Sequence, residues 1–132
     1  MKKFILSITI IFLFSIDSFG HVNHYNKYNF LEYELFRNNK PIGYHKYEFT
    51  RNGEDLIVNS EVNFKITKLG IDLYNYYAKS EERYKKGVFF GFKSKTNQNK
   101  KEKFVNIKVD SANKDLTIDG SSYKGKASKD II

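Results

Sequence analysis

The sequence has no cysteine and no tryptophan, a single proline and a single methionine, and only three arginines among its 23 basic side chains. Without cysteine there is neither a disulfide nor a thiolate metal site, so the chain must fold on its packing alone. The scarcity of arginine bears on partners. Lysine outnumbers arginine 20 to 3, and the lysines are scattered, with Lys100, Lys101 and Lys103 the nearest approach to a cluster. Arginine is the side chain that grips phosphate bidentately, so no nucleic-acid partner is expected. Internal repeats, low-complexity linkers and glycine-rich phosphate loops are also missing, and no cofactor motif is present.

A long apolar run is missing too. The longest, Phe4 to Ile16, covers 13 residues, short of the roughly 20 that span a bilayer as a helix. Its setting is that of a cleavable signal peptide, with Lys2 and Lys3 before it and the small residues Ser18 and Gly20 after it. Cleavage after Gly20 makes His21 the mature N-terminus and places the protein in the periplasm or outside the cell. Residues 21–29 are polar and aperiodic, a flexible lead-in to the domain at 30–132. The mature chain has 21 basic against 14 acidic side chains and 18 aromatics, all Phe or Tyr. That aromatic load is enough to build one packed domain and argues against disorder.

From Phe30 onward the chain breaks into short runs separated by turn signals. Leu31, Tyr33 and Leu35 alternate with Glu32 and Glu34; Asn38 and Asn39 then turn the chain, and both tolerate positive φ. Pro41 opens a second run, and Asn52-Gly53 is a strong hairpin signal. In the third run Leu56, Val58, Val62, Phe64 and Ile66 share a face interrupted only by Ser60, against Asn59, Glu61, Asn63 and Lys65. That is period two over eleven residues, which a helix does not produce. Ile71 to Tyr84 reads as a long, bulged strand, grouping Ile71, Leu73 and Tyr77. Val88, Phe90 and Phe92 share a face of the next run, and a loop spans Asn97 to Lys101. Val105, Ile107 and Val109 then oppose Phe104, Asn106 and Lys108, and a short run around Leu116 and Ile118 follows. About seven strands result: an all-β domain, either a single curved antiparallel meander sheet or a partly closed barrel. Tyr123 to Ile132, with little to bury, is expected to be poorly ordered or to cross outside the sheet, leaving an open edge.

The order of residues resembles an uncharacterised family of bacterial periplasmic proteins of unknown function. The resemblance rests on Tyr33 followed by Asn39-Lys40-Pro41-Ile42-Gly43, and on Glu82, Tyr84, Gly87, Phe89, Phe92, Ser94 and Thr96. It covers roughly Leu31 to Ile132. It implies an exported β domain and assigns no chemistry; members continue with further strands beyond the position of Ile132.

The candidate reactive groups read blandly. His21 with His24 and His45 would resemble a copper-binding N-terminal histidine, but three incidental polar histidines are the expectation. Glu81 and Glu82 with Asp72, or Glu48 with Glu61, are candidate acid–base pairs; Glu61 alternates away from the apolar face. Ser60 lacks a nucleophile elbow and reads as a hydroxyl bonded to a neighbour. Gly43 reads as a bulge or a close backbone approach. Phe64, Tyr77, Phe90 and Phe92 are the residues expected to face an apolar or lipid-like ligand, or else to fill a solid core. The leading expectation is a non-enzymatic protein that binds an apolar or amphipathic ligand or partner on the concave face of its sheet. The alternative is a structural or envelope-interaction protein that meets a partner or a second copy through an open sheet edge.

Overall fold

In the computed structural model, residues 26–128 are described. The alternating runs become eight strands: β1 (Phe30–Arg37), β2 (Lys40–Asn52), β3 (Asp55–Lys68), β4 (Ile71–Lys85), β5 (Val88–Gln98), β6 (Lys101–Val109), β7 (Leu116–Gly120) and β8 (Lys124–Ala127). They form one antiparallel sheet in chain order, β1 to β8. The two outer strands do not pair, so the meander stays open and is not a barrel. The signal-peptide segment, His21, His24 and Ile131-Ile132 lie outside the described residues.

Tight turns set this topology. Asn38-Asn39, Leu69-Gly70, Lys86-Gly87 and Asn99-Lys100 each place two successive residues at positive φ, the conformation whose twist matches that of paired strands. The pair Asn99-Lys100 corrects the expected loop at Asn97 to Lys101: Asn97, Gln98 and Lys101 belong to the strands, because a two-residue turn suffices to close the hairpin. A second correction concerns the C-terminal stretch. Lys124 to Ala127 pairs with β7 as an eighth strand. Backbone groups stabilise that return where apolar side chains cannot. Gly120 N–H donates to Tyr123 O at 2.9 Å, Ser121 N–H donates to Phe104 O at 2.9 Å, and Phe104 N–H donates to Ser121 Oγ at 2.8 Å.

Residues opposite one another in an antiparallel pair share a face, so the registers divide the sheet cleanly. One face carries Leu31, Tyr33 and Leu35 from β1 and His45, Tyr47 and Phe49 from β2. Leu56, Val58, Val62 and Phe64 of β3, Tyr74, Tyr76 and Tyr84 of β4, and Phe92 of β5 continue it. Val105, Ile107, Leu116 and Ile118 complete it on β6 and β7. The other face carries most of the charges, including Glu61, Lys79, Glu81, Lys93 and Lys95. Its ion pairs, such as Lys79–Glu61 at 3.2 Å and Arg83–Glu81 at 2.7 Å, are solvent-exposed and contribute about 0–1 kcal/mol each.

Gly43 lets the apolar face close over β2 and β3. A methyl group there would overlap Asn63 O and lie 2.5 Å from Phe64 Cα. Among the described residues only Phe49 and Leu116 are buried hydrophobic side chains. Domains normally bury such a face beneath a second layer. Here the described residues form one layer, and they place nothing on top of it.

Candidate functional site: the apolar face

The apolar face is not uniform. Ser60 on β3 sits opposite Ser80 on β4, and Ser80 sits opposite Ser94 on β5. Three hydroxyls therefore line up across three central strands, about 5 Å apart from strand to strand. His45 on β2 joins them: its Nε2 shares a hydrogen bond of 2.8 Å with Ser60 Oγ. Its Nδ1 lies 3.4 Å from the Tyr47 hydroxyl, and the two rings are 4.2 Å apart. Burial holds the His45 imidazole below its ordinary pKa, so it is neutral at neutral pH. The Ser80 and Ser94 hydroxyls have no side-chain partner among the described residues. The row is a polar belt.

Apolar zones flank the belt on both sides. Toward one end Phe64 stacks against both Tyr74 and Tyr76, with ring centroids 5.7 and 5.1 Å away. Toward the other end Val58, Phe92, Ile107 and Ile118 lie across adjacent strands with Glu82 among them. The Tyr84 hydroxyl donates to Glu82 at 2.6 Å. Burial first, and then that bond to a carboxylate, push the Tyr84 pKa far up, so Tyr84 remains a neutral donor.

The four residues expected to line a single ligand surface are divided by the registers. Phe64 and Phe92 share the apolar face, but six strand positions separate Phe64 from Val58 in the Phe92 row, about 20 Å along the strand. Tyr77 pairs with Asn63 and Asn97, which puts it on the charged face, and Lys79 lies 5.7 Å from its ring. Phe90 falls at the register shift between Arg83 and Tyr84 and is 53% exposed. With Glu81, Arg83 and Val109 it borders a shallow depression of about 260 Å³.

Of the candidate acid–base groups, Glu48 and Glu61 are diagonal neighbours on the charged face of β2 and β3 and border one shallow depression, whereas the others are apart. Glu81 and Glu82 project from opposite faces; Glu81 accepts from Arg83 at 2.7 Å, and Asp72 pairs with Lys65 at 2.7 Å. Glu61 accepts from Tyr44 at 2.6 Å, and that bond together with Lys79 holds its carboxyl below the usual range. Among the described residues no group of three potential metal ligands converges. The Ser60–His45 contact has the reach of a nucleophile and base. Ser60 nevertheless lies in mid-strand between two partners, so its backbone amides serve the ladders and none remains to stabilise an oxyanion. The arrangement supplies neutral hydrogen-bonding groups in an apolar setting.

Sequence reasoning found Ser60 as an interruption of an apolar face. It missed Ser80, Ser94 and His45 as its neighbours. Their common signal is a polar residue at the middle of each central strand, and only the registers turn that into a row. Comparison with known proteins matches residues 33–132 to a family described as a domain of unknown function, DUF6134. No curated protein and no solved structure matches the chain.

Proposed function

This chain belongs to the DUF6134 family, a domain of unknown function, and we propose that it is an exported, non-enzymatic protein that receives an apolar or amphipathic ligand on the apolar face of its sheet. One observation carries the reading: a broad apolar face with no second layer on it among the described residues. Eight strands of four to fifteen residues, averaging about 30 Å, give that whole face, polar belt included, a footprint of about 1,000 Å². Apolar patches on soluble monomers seldom exceed a few hundred Å², and larger ones mark interaction sites. The signal-peptide pattern of residues 1–20, with Lys2 and Lys3 before an apolar run and Ser18 and Gly20 after it, supports export.

Native mass spectrometry of the purified full-length protein tests the reading, together with N-terminal sequencing of the exported form. The expected results are a retained small apolar molecule and a mature chain that starts at His21. A ligand-free protein that also fails to bind the apolar fluorophore N-phenyl-1-naphthylamine would remove the proposal.

A further inference from the structure

Resting on the reading of the apolar face as a ligand surface, we infer that the belt formed by His45, Ser60, Ser80 and Ser94 selects the ligand's polar part, and that this part is a neutral acyl ester. Three features point to this class. The belt groups are uncharged and both donate and accept hydrogen bonds, which suits an ester carbonyl and a neighbouring hydroxyl. They sit between two apolar zones, so the matching polar group lies inside an apolar molecule and is flanked by its chains. The charge on this face disfavours an anion: the Glu82 carboxylate is two residues from Ser80 on the same face, whereas the nearest ammonium, Lys103, is exposed beside the outer end of the belt. An anionic head group seated on the belt would be desolvated beside a carboxylate without a paired cation.

Ser80 and Ser94 give the belt its capacity. Ser60 is already bonded to His45, whereas the other two hydroxyls have no partner among the described residues. A bound ester would take up those two free groups. The Ser60–His45 bond then acts as the fixed end of the row, and the Tyr47 ring packed against His45 holds the imidazole in place.

The test uses full-length protein loaded with N-phenyl-1-naphthylamine and displaced by dioctanoylglycerol, by its ether analogue dioctylglycerol, which keeps the chain length and the hydroxyl but has no ester carbonyl, or by dioctanoylphosphatidate. We expect the diacylglycerol to compete about tenfold better than the ether, a margin that a pair of hydrogen bonds can supply. Ser80→Ala with Ser94→Ala should bring the ratio of the ester and ether affinities close to one; if circular dichroism shows that this double variant is unfolded, Ser94→Ala alone should lower the ratio to about threefold. Equal competition by the ester and the ether in the wild type overturns the role of the belt while leaving a ligand face in place. Stronger binding of the phosphatidate, lost on Lys103→Ala, overturns it in favour of an anionic ligand. A protein that binds no fluorophore and runs as a face-covered dimer in light scattering overturns both readings.

Discussion

Replacing Gly43 by alanine is the sharpest probe of how the apolar face is assembled. The added methyl would overlap Asn63 O and would lie 2.5 Å from Phe64 Cα and 2.7 Å from Phe64 Cβ, where carbon atoms prefer about 3.5–4.0 Å. Relief requires β2 and β3 to separate by about 1 Å at the end pair of their ladder, where Gly43 lies directly opposite Phe64 and is also paired with Leu35 of β1. Overpacking of this kind costs about 1–3 kcal/mol, and a clash with backbone belongs near the top of that range. For a domain of this size the melting temperature should fall by roughly 8–20 °C, and the urea midpoint should fall without a change in slope. Gly91→Ala is the matched control, because its methyl would meet only Ile107 O at 3.3 Å and should cost well under half as much. Equal effects of the two substitutions, or a Gly43→Ala loss below about 0.5 kcal/mol, would refute the close approach of β2 to Phe64.

The remaining predictions concern a strained turn and two titrating groups. Leu69 sits at φ 53° in the β3–β4 turn and is 93% exposed; Leu69→Asn should stabilise the fold by about 0.5–1 kcal/mol in urea unfolding, since Asn tolerates that conformation. Glu61→Gln, which weakens the links to Tyr44 and Lys79, should cost a few tenths to about 1 kcal/mol at pH 7. The cost should fade as the pH drops through the depressed folded pKa of Glu61, because the wild type then loses the same contribution. The folded pKa of His45 is lowered by burial, so the unfolded chain takes up the proton more readily. Stability from this group is complete above about pH 6.5 and declines as the pH falls below it through the folded value; thermal melts between pH 7.5 and 5 should show that slope, and His45→Gln should flatten it.

The sequence revealed strands more readily than faces. β3 could be read directly, since Leu56 to Ile66 alternate without a break except at Ser60. The hairpin turns were visible at Asn38-Asn39 and Gly53. β4 misled, because tyrosines occur on both of its faces: Ile71, Leu73 and Tyr77 alternate just as regularly as Tyr74, Tyr76 and Ala78. Pairing with Phe64 and Val62 places the second set on the apolar face. Phe90 escapes the count for a different reason. The register shift between Arg83 and Tyr84 interrupts the period-two count, and a one-residue slip moves a side chain to the other face. β8 carries no apolar alternation and follows from the Ser121 to Tyr123 turn and its backbone bonds. The belt needed three strand registers at once, which no local pattern supplies.

The absence of cysteine provides a clean background for the measurement that bears most directly on the central claim. Thr96 and Lys95 are neighbours on β5 that project from opposite faces, paired with Ala78 and Lys79 respectively. Single variants Thr96→Cys and Lys95→Cys, each labelled with an environment-sensitive fluorophore, should be titrated with dioctanoylglycerol. The account predicts a saturable blue shift from the label at 96 and none from the label at 95. Equal shifts at both positions, or a shift at 95 alone, would contradict it.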